Sequence, residues 1–317
     1  MEKVLIGVDV GGTKTAVILS ARPPESLGRI EFATLPEQGP ERALEKIIES
    51  AQHLLSEHRV GVKAVGVSCG SPLDRVQGVI HAPPNLSTWL NVPIRRLLEQ
   101  AFEAPCRVEN DANAGAVAEH RFGAGVGVEH MVFLTLGTGL GAGIIANGSI
   151  YLGASGDAGE IGHVRLSVSG PVGYHKAGSV EGWSSGGGIA QLAGRVLAQS
   201  TQPSSLRAVG KITARDVGMA AEAGDAVARR ILRSSGERLG QTMALLMDVI
   251  NPQRIVLGGL AWRLGEHLLG PMRRMMAREA LPQTLRACEV VPAALGEKIG
   301  DVAAMCVAMG LEGRGQW

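Results

Sequence analysis

The sequence has almost no surplus charge: 31 Lys and Arg stand against 30 Asp and Glu, a net +1 at pH 7 over 317 residues. A dedicated nucleic-acid binder normally carries a basic excess or stripe, so that class is excluded, although a small basic patch is not. Cysteine is sparse. Cys69, Cys106, Cys288 and Cys306 lie far apart, with no CxxC and no ligand spacing among them. They read as buried free thiols, which suits a reducing cytoplasm. No basic-then-apolar leader is seen, since Met1-Glu2-Lys3 runs directly into a strand-like segment. Long apolar runs are also scarce. Residues 131–156 carry no charge and contain GxxxG spacing at Gly137 with Gly141 and Gly139 with Gly143. Yet they hold seven glycines and an Asn147-Gly148 pair flanked by isoleucines, which is a hairpin signal rather than a membrane span. Aromatic residues make up only 3%, whereas glycine reaches 44 residues without any period. A collagen-like or disordered chain is therefore out, and many backbone turns in close approach to something small is the better reading. Hydrophobic residues at 45% supply a sizeable core, and the length suggests about two domains.

A β-branched run over 4–10 predicts a strand, followed by a turn at Gly11-Gly12 and a second strand over 15–19. Gly39-Pro40 opens a helix with Leu44, Ile47, Ile48, Ala51, Leu54 and Leu55 at three- and four-residue steps. A buried strand over 64–68, a loop through Pro83-Pro84-Asn85, a helix from near Pro93 and a strand over 106–108 running into Asn110-Asp111 follow. This alternation predicts an α/β domain with a largely parallel sheet. From Met131 the pattern begins again: strand 132–136, a turn at Gly137-Thr138-Gly139 and strand 142–146 repeat the opening unit. That is an internal duplication at the supersecondary level and predicts two similar domains. Further on, Gly186-Gly187-Gly188 precede a helix over 189–199, and a long helix over 225–250 stops at Asn251-Pro252. Strand 254–257 meets Gly258-Gly259, and an Ala/Met-rich helix is predicted over 301–311.

Two glycine turns leave strands at similar points, and amides free of Cβ obstruction suit phosphate oxygens. In the first, the lysine of Gly12-Thr13-Lys14 comes one residue late for a Walker A loop, and Thr15, Val17 and Ile18 continue as strand where a P-loop needs a helix. The second, over 137–142, superficially fits G-x-G-x-x-A, but a hairpin follows where a dinucleotide fold requires a helix. A plain tight hairpin stays the alternative at each. Asp9 favours phosphate at the first turn. A carboxylate inside an apolar strand is costly unless paired or cation-bound, and here it suits Mg²⁺, held directly or through water. A salt bridge to Lys14 is the alternative. In Asn110-Asp111-Ala112-Asn113, Asn110 reads equally well as a helix cap, and Asp111 as a carboxylate that accepts a hydroxyl proton. Glu160, His163, Glu181 and Asn85 add the carboxylates, imidazole and amide that a polyol ring demands.

Taken together and in order, these runs resemble the ROK family (repressors, open reading frames and kinases) of the actin-like ATPase superfamily. The resemblance rests on Asp9-Val-Gly-Gly-Thr-Lys14, Ala82-Pro-Pro-Asn-Leu86 with Trp89, Glu109-Asn-Asp-Ala-Asn113 and Gly137-Thr-Gly-Leu-Gly-Ala-Gly143. Gly156-Asp-Ala-Gly-Glu-Ile-Gly-His163, Glu181 followed by Ser184-Ser-Gly186, and Leu257-Gly-Gly259 extend it almost end to end. It implies a two-domain α/β fold of the ribonuclease H-like kind, with the active site in an interdomain cleft. The implied domains are a small one over 1–115, completed by the C-terminal helix at about 300–317, and a larger one over 116–299. The implied activity is ATP-dependent phosphorylation of a hexose, glucose or a related aldohexose, at its 6-hydroxyl. An N-acetylhexosamine kinase and a catalytically weak sugar-binding regulator are the alternatives. Asp111 is the implied base, and Asn85, Asn110, Glu160, His163 and Glu181 are the implied sugar contacts. Asp9, Gly11, Gly12, Thr13, Lys14, Gly137, Thr138 and Gly139 would face the ATP phosphates, with Mg²⁺ at Asp9 and with Gly258 and Gly259 near the adenosine. The family expectation is a cytoplasmic homodimer that binds neither nucleic acid nor membrane.

Two departures from the family pattern matter. ROK kinases typically carry a zinc site of one His and three Cys in a run like CGCGxxGCxE. The corresponding run here is Val172-Gly-Tyr174-His-Lys-Ala-Gly-Ser179-Val-Glu181; all three thiolates are absent, so no structural zinc is expected. Family repressors place a winged helix-turn-helix before the first glycine turn, and here Asp9 already belongs to that turn. The kinase branch is expected.

Overall fold

The computed structural model describes residues 2–311, which divide into two compact units: 2–126 with 295–311, and 127–294. The first contains β1 (Lys3–Val10), β2 (Lys14–Ser20), β3 (Gly28–Ala33), α1 (Pro40–His58) and β4 (Gly61–Cys69). A small ribbon, β5 (Leu73–Asp74) with β6 (Val79–Ile80), leads to α2 (Ile94–Phe102), β7 (Cys106–Asn110) and α3 (Asp111–Phe122). The sheet order is β3-β2-β1-β4-β7. β1, β2 and β3 run antiparallel to one another in turn, while β4 and β7 run parallel to β1. The expected largely parallel sheet is thus corrected to a mixed one. The strand–glycine turn–strand unit folds back as a hairpin, and the parallel strands are those reached through the crossover helices α1 and α2.

The second unit opens with β8 (Met131–Leu136), β9 (Leu140–Ala146) and β10 (Ser149–Tyr151), followed by a ribbon of β11 (Val172–Gly173) and β12 (Lys176–Ala177). Four helices follow: α4 (Val180–Ser184), α5 (Gly186–Ala198), α6 (Ala214–Glu222) and α7 (Ala226–Ile250). β13 (Arg254–Leu257), α8 (Gly259–Arg263), α9 (Glu266–Glu279), α10 (Pro282–Ala287) and β14 (Glu289–Pro292) complete it. Its sheet order, β10-β9-β8-β13-β14, and its strand directions repeat those of the first unit. The duplication read from the two glycine turns therefore extends to all five strands. The chain then returns to the first unit as α11 (Ile299–Met309). α3 packs on α11, and the first unit runs to Val126 and resumes at Leu295. Met1 and residues 312–317, part of the expected small domain, lie outside the described residues.

Strand periodicity builds the first core. Val4, Ile6, Val8 and Val10 of β1 point to one face and meet Leu44, Ile47, Ala51 and Leu54 of α1. On the other face Gly7 and Gly66 let α11 lie against the sheet; a methyl at Gly66 would overlap the backbone of Ala304 and Ala308. In the second unit Gly236 and Gly240 of α7 play the same part, admitting the backbone of α9 at Leu268 and Met272. No helix among the described residues is long and apolar enough to cross a membrane.

Candidate active site

In a mixed sheet the carboxyl ends of the parallel strands collect the functional loops. Asp9, Ser68 and Glu109 pair across β1, β4 and β7, and Val10, Cys69 and Asn110 form the next row. This register brings Asp9 and the Asn110-Asp111 corner to one edge of the first sheet. Burial, and then the like charges of Asp111 and Asp301, push the Asp9 carboxyl up to about 7, against the lowering influence of Lys14 and Arg29. Lys14 does not pair with Asp9. Its Nζ lies 3.0 Å from Glu31 Oε2, while Arg29 bridges Glu31 at 2.6 Å and Asp301 at 2.7 Å. The salt-bridge alternative for Asp9 is therefore not realised. On α11, a methyl at Gly300 would overlap Asp9 Oδ2, so that glycine makes room for the carboxylate.

Asp111 opens α3 and is reachable from solvent, yet protein crowds around its carboxyl. That desolvation raises it above the usual carboxylate range, only partly offset by backbone hydrogen bonds such as that from Ala112 N–H to Oδ1 at 2.8 Å. Asn110 is the helix cap. Its Oδ1 accepts from the N–H groups of Ala112 at 2.9 Å and Asn113 at 3.3 Å, and its Nδ2 donates to Ser71 Oγ at 2.8 Å. Asn85 lies in the short turn Pro84–Leu86. Gly12 admits it, because a Cβ there would stand 2.5 Å from Asn85 Cβ and 2.7 Å from its carbonyl oxygen. Gly11 N–H donates to Lys14 O at 3.0 Å to close the first glycine turn. Thr34, which sequence reasoning did not single out, pins that turn: its Oγ1 donates to Gly11 O at 2.6 Å and its N–H to Thr13 O at 3.1 Å.

Glu109 is the other residue whose part emerges only here. It is 0% exposed. Its Oε1 accepts from Asn110 N–H and from Asn113 Nδ2, both at 3.1 Å, and its Oε2 accepts from Arg75 Nε at 3.2 Å. Arg107 Nη2 stands 3.7 Å from the same Oε2. One buried carboxylate thus ties β7, the first turn of α3 and the β5–β6 ribbon together beneath Asp111. Glu109→Leu removes the carboxylate from between two guanidinium groups, and urea denaturation should show a loss of about 3 kcal/mol. Glu109→Gln, which keeps two of the hydrogen bonds, should lose less.

In the second unit Gly137, Thr138 and Gly139 follow β8, and Gly258 and Gly259 follow its parallel neighbour β13. The start of α5 holds the first of these turns, with Gly186 N–H donating to Gly137 O at 2.8 Å and Gly187 N–H to Thr138 O at 3.0 Å. Gly258 N–H donates to Leu134 O at 2.8 Å, setting the second turn beside β8. Glu181, in the first turn of α4, accepts from Leu140 N–H at 3.0 Å through Oε2. A Cβ at Gly139 would stand 2.8 Å from that oxygen. Glu160 and His163 bracket the turn Ile161–His163. Methyl groups at Gly159 and Gly162 would overlap the carbonyl oxygens of Ala142 and Leu140, so this turn lies flat on the start of β9. Glu160, His163, Glu181 and the 137–139 turn are accordingly gathered at one place in the second unit. The β11–β12 ribbon beside them turns at Tyr174 and His175, with φ of 35° and 63°. Val172, Tyr174 and Ser179 stand where thiolates would be needed, and this donor set does not fit zinc.

Two α/β units of one topology, each collecting polar side chains and glycine turns at its strand ends, define a protein of the two-domain actin-like ATPase kind. The pattern that defines the ROK family matches residues 5–310, and the chain belongs to that family. Among its relatives, a glucokinase of Halalkalibacterium halodurans is 33% identical over 305 residues, spanning 94% of this chain and 92% of the relative. A ROK hexokinase from Thermus thermophilus superposes with a TM-score of 0.82 at 31% identity, covering 98% of this chain and 100% of that one. A ROK family glucokinase from Streptomyces griseus, solved with glucose and AMPPNP, has a TM-score of 0.77 at 31% identity and covers 97% of this chain and 99% of its own.

Proposed function

We propose that the protein is an ATP-dependent hexokinase that transfers the γ-phosphoryl group of ATP to the 6-hydroxyl of glucose or a closely related aldohexose. The observation that carries this reading is the Asp111 carboxylate at the start of α3, on the same sheet edge as Asp9 and the first glycine turn. Asp111 takes the hydroxyl proton as the sugar oxygen bonds to the γ-phosphorus, and the bond from that phosphorus to the bridging oxygen breaks to release ADP. The Ala112 N–H on Oδ1 keeps the carboxylate oriented for this transfer. Asn85, Glu160, His163 and Glu181 meet the remaining hydroxyls. For Asn110 the supporting role is the cap that fixes Asp111, since Ser71 and two backbone amides already engage its amide group. Amides of the Gly11-Gly12-Thr13 and Gly137-Thr138-Gly139 turns, with Lys14, face the phosphates, and Gly258 and Gly259 approach the adenosine.

The Asp9 site fits a magnesium ion, because a carboxylate destabilised by burial and by two acidic neighbours gains most from a cation. When bound there, directly or through water, Mg²⁺ neutralises charge on the transferring phosphoryl group. The resemblance to the family extends the reading to a homodimer working in the cytoplasm.

A coupled ADP-release assay with Mg-ATP and glucose, mannose, allose, fructose, N-acetylglucosamine or N-acetylmannosamine tests the reading. The expected result is saturable ADP release with glucose, at a kcat/KM at least ~10-fold above either N-acetylhexosamine, the size of effect a pocket contact commands. Faster turnover of an N-acetylhexosamine would reassign the substrate. Sugar binding by calorimetry without ADP release would favour the regulator.

A further inference from the structure

The run 160–181 presents Glu160, His163 and Glu181, and it contains no thiol. Its ends are stitched by backbone bonds: Val180 N–H to Val164 O at 2.9 Å, Leu166 N–H to Gly178 O at 2.8 Å, and Gly178 N–H to Pro171 O at 2.9 Å. Side chains secure the middle. Lys176, on β12, donates from Nζ to the carbonyl oxygen of His163 at 2.8 Å. Gln191 of α5 grips Val172 twice, its Oε1 accepting the N–H at 3.0 Å and its Nε2 donating to the carbonyl at 2.8 Å. Ser179 Oγ accepts from Gly182 N–H at 3.1 Å, capping the helix that carries Glu181. Trp183 donates from Nε1 to Ser167 Oγ at 2.8 Å, with the Arg238 guanidinium 5.2 Å above its ring.

Among these, Lys176 joins the ribbon to the turn that holds Glu160 and His163. Its bond reaches the backbone carbonyl of His163 rather than the ring, so the imidazole nitrogens are left available to a ligand. Charge assistance makes such a bond stronger than a neutral one. We propose that Lys176 is a positioning residue for sugar recognition. Its ammonium on the His163 carbonyl, together with the Gln191 grip on Val172, holds Glu160, His163 and Glu181 in binding shape without a structural metal. The inference rests on the kinase reading for its kinetic consequence, but not for its structural one.

The test compares Lys176→Met, Lys176→Arg and Gln191→Leu in the full chain. Lys176→Met should raise the glucose KM about 10-fold, leave the ATP KM within about twofold, and be largely restored by Lys176→Arg. Amide hydrogen exchange over 161–181 should quicken about 10-fold in Lys176→Met, with β8 and β13 unchanged. Pretreatment with a zinc-selective chelator, followed by assay with Mg-ATP, should leave the wild-type glucose KM as it was, and metal analysis should find far less than one zinc per chain. If Lys176→Met loses cooperative melting, Gln191→Leu carries the same comparison. Unchanged glucose KM and unchanged exchange in both variants would overturn the proposal, as would equimolar zinc whose removal raises the glucose KM. Failure of the kinase reading looks different: the wild type then releases no ADP with any sugar, and exchange over 161–181 alone decides the inference.

Discussion

Asp111→Asn should lower kcat by a factor of about 10² to 10⁴ and leave the glucose KM nearly unchanged. The amide keeps the shape of the carboxylate and still offers an oxygen to Ala112 N–H, so the start of α3 stays in place. What disappears is the group that takes the proton. The pH profile supplies a second signature. A base works only when deprotonated, and the Asp111 carboxyl is held above its ordinary range by desolvation. Wild-type kcat/KM should therefore fall on the acid side at a higher pH than an unperturbed carboxylate would dictate, and the variant should keep only the part of that limb that Asp9 contributes. Turnover near wild type in Asp111→Asn would remove the base assignment while leaving the fold and family untouched.

Asp9→Asn should show opposite effects on activity and stability. Losing the carboxylate that suits Mg²⁺ is expected to reduce kcat/KM by about 10²-fold or more, the scale of losing a preorganised electrostatic contact. The stability change follows from linkage. The Asp9 carboxyl titrates near 3.8 in the unfolded chain and near 7 in the folded one. Between those values the folded state retains a proton that the unfolded state has given up, so wild-type stability falls as pH rises through this window. Asn has no such charge to bury. In metal-free buffer the variant should thus be more stable than wild type at pH 8, by on the order of 2–4 kcal/mol, and nearly equal to it below pH 4. Parallel stability curves for the two proteins would contradict the desolvation of the Asp9 carboxylate and its repulsion by Asp111 and Asp301. The tension is of a kind common at functional sites, where unfavourable charge is kept for the ligand that will relieve it.

Features specified by neighbours in sequence were the ones that could be read before the structure. The 225–250 helix is observed as Ala226–Ile250 because Asp225 caps it, accepting from the N–H groups of Val227 and Ala228. The 254–257 strand, bounded by Asn251-Pro252 and Gly258-Gly259, is observed as Arg254–Leu257. Elements that depend on distant partners were less legible. The glycines read as preceding α5 are its first turn, since Ser185 caps the helix by accepting from Gly188 N–H. α9 runs through Pro271, a residue that propensity forbids in a helix interior. There it packs beside Gly236 of α7, where a side chain would crowd it. β3 carries the alternation Arg29-Ile30-Glu31-Phe32, yet as a short edge strand it gave little signal.

The site divides along the same line. Asp9, Asn110 and Asp111 stood out because a charge in an apolar strand and a polar cluster at a strand end are local patterns. Glu109 obeys the argument used for Asp9, being a carboxylate beside Val108 in β7, but its part depends on Arg75 and Asn113 as much as on its own strand. Lys176 has no sequence signature, because its partner is a backbone carbonyl that every residue possesses.

Phosphorus NMR of the protein mixed with glucose and Mg-ATP follows the transferred group itself. One glucose 6-phosphate is expected for each ADP formed, with no build-up of orthophosphate. ADP accompanied by orthophosphate alone, or a phosphoryl group found on another sugar oxygen, would contradict it.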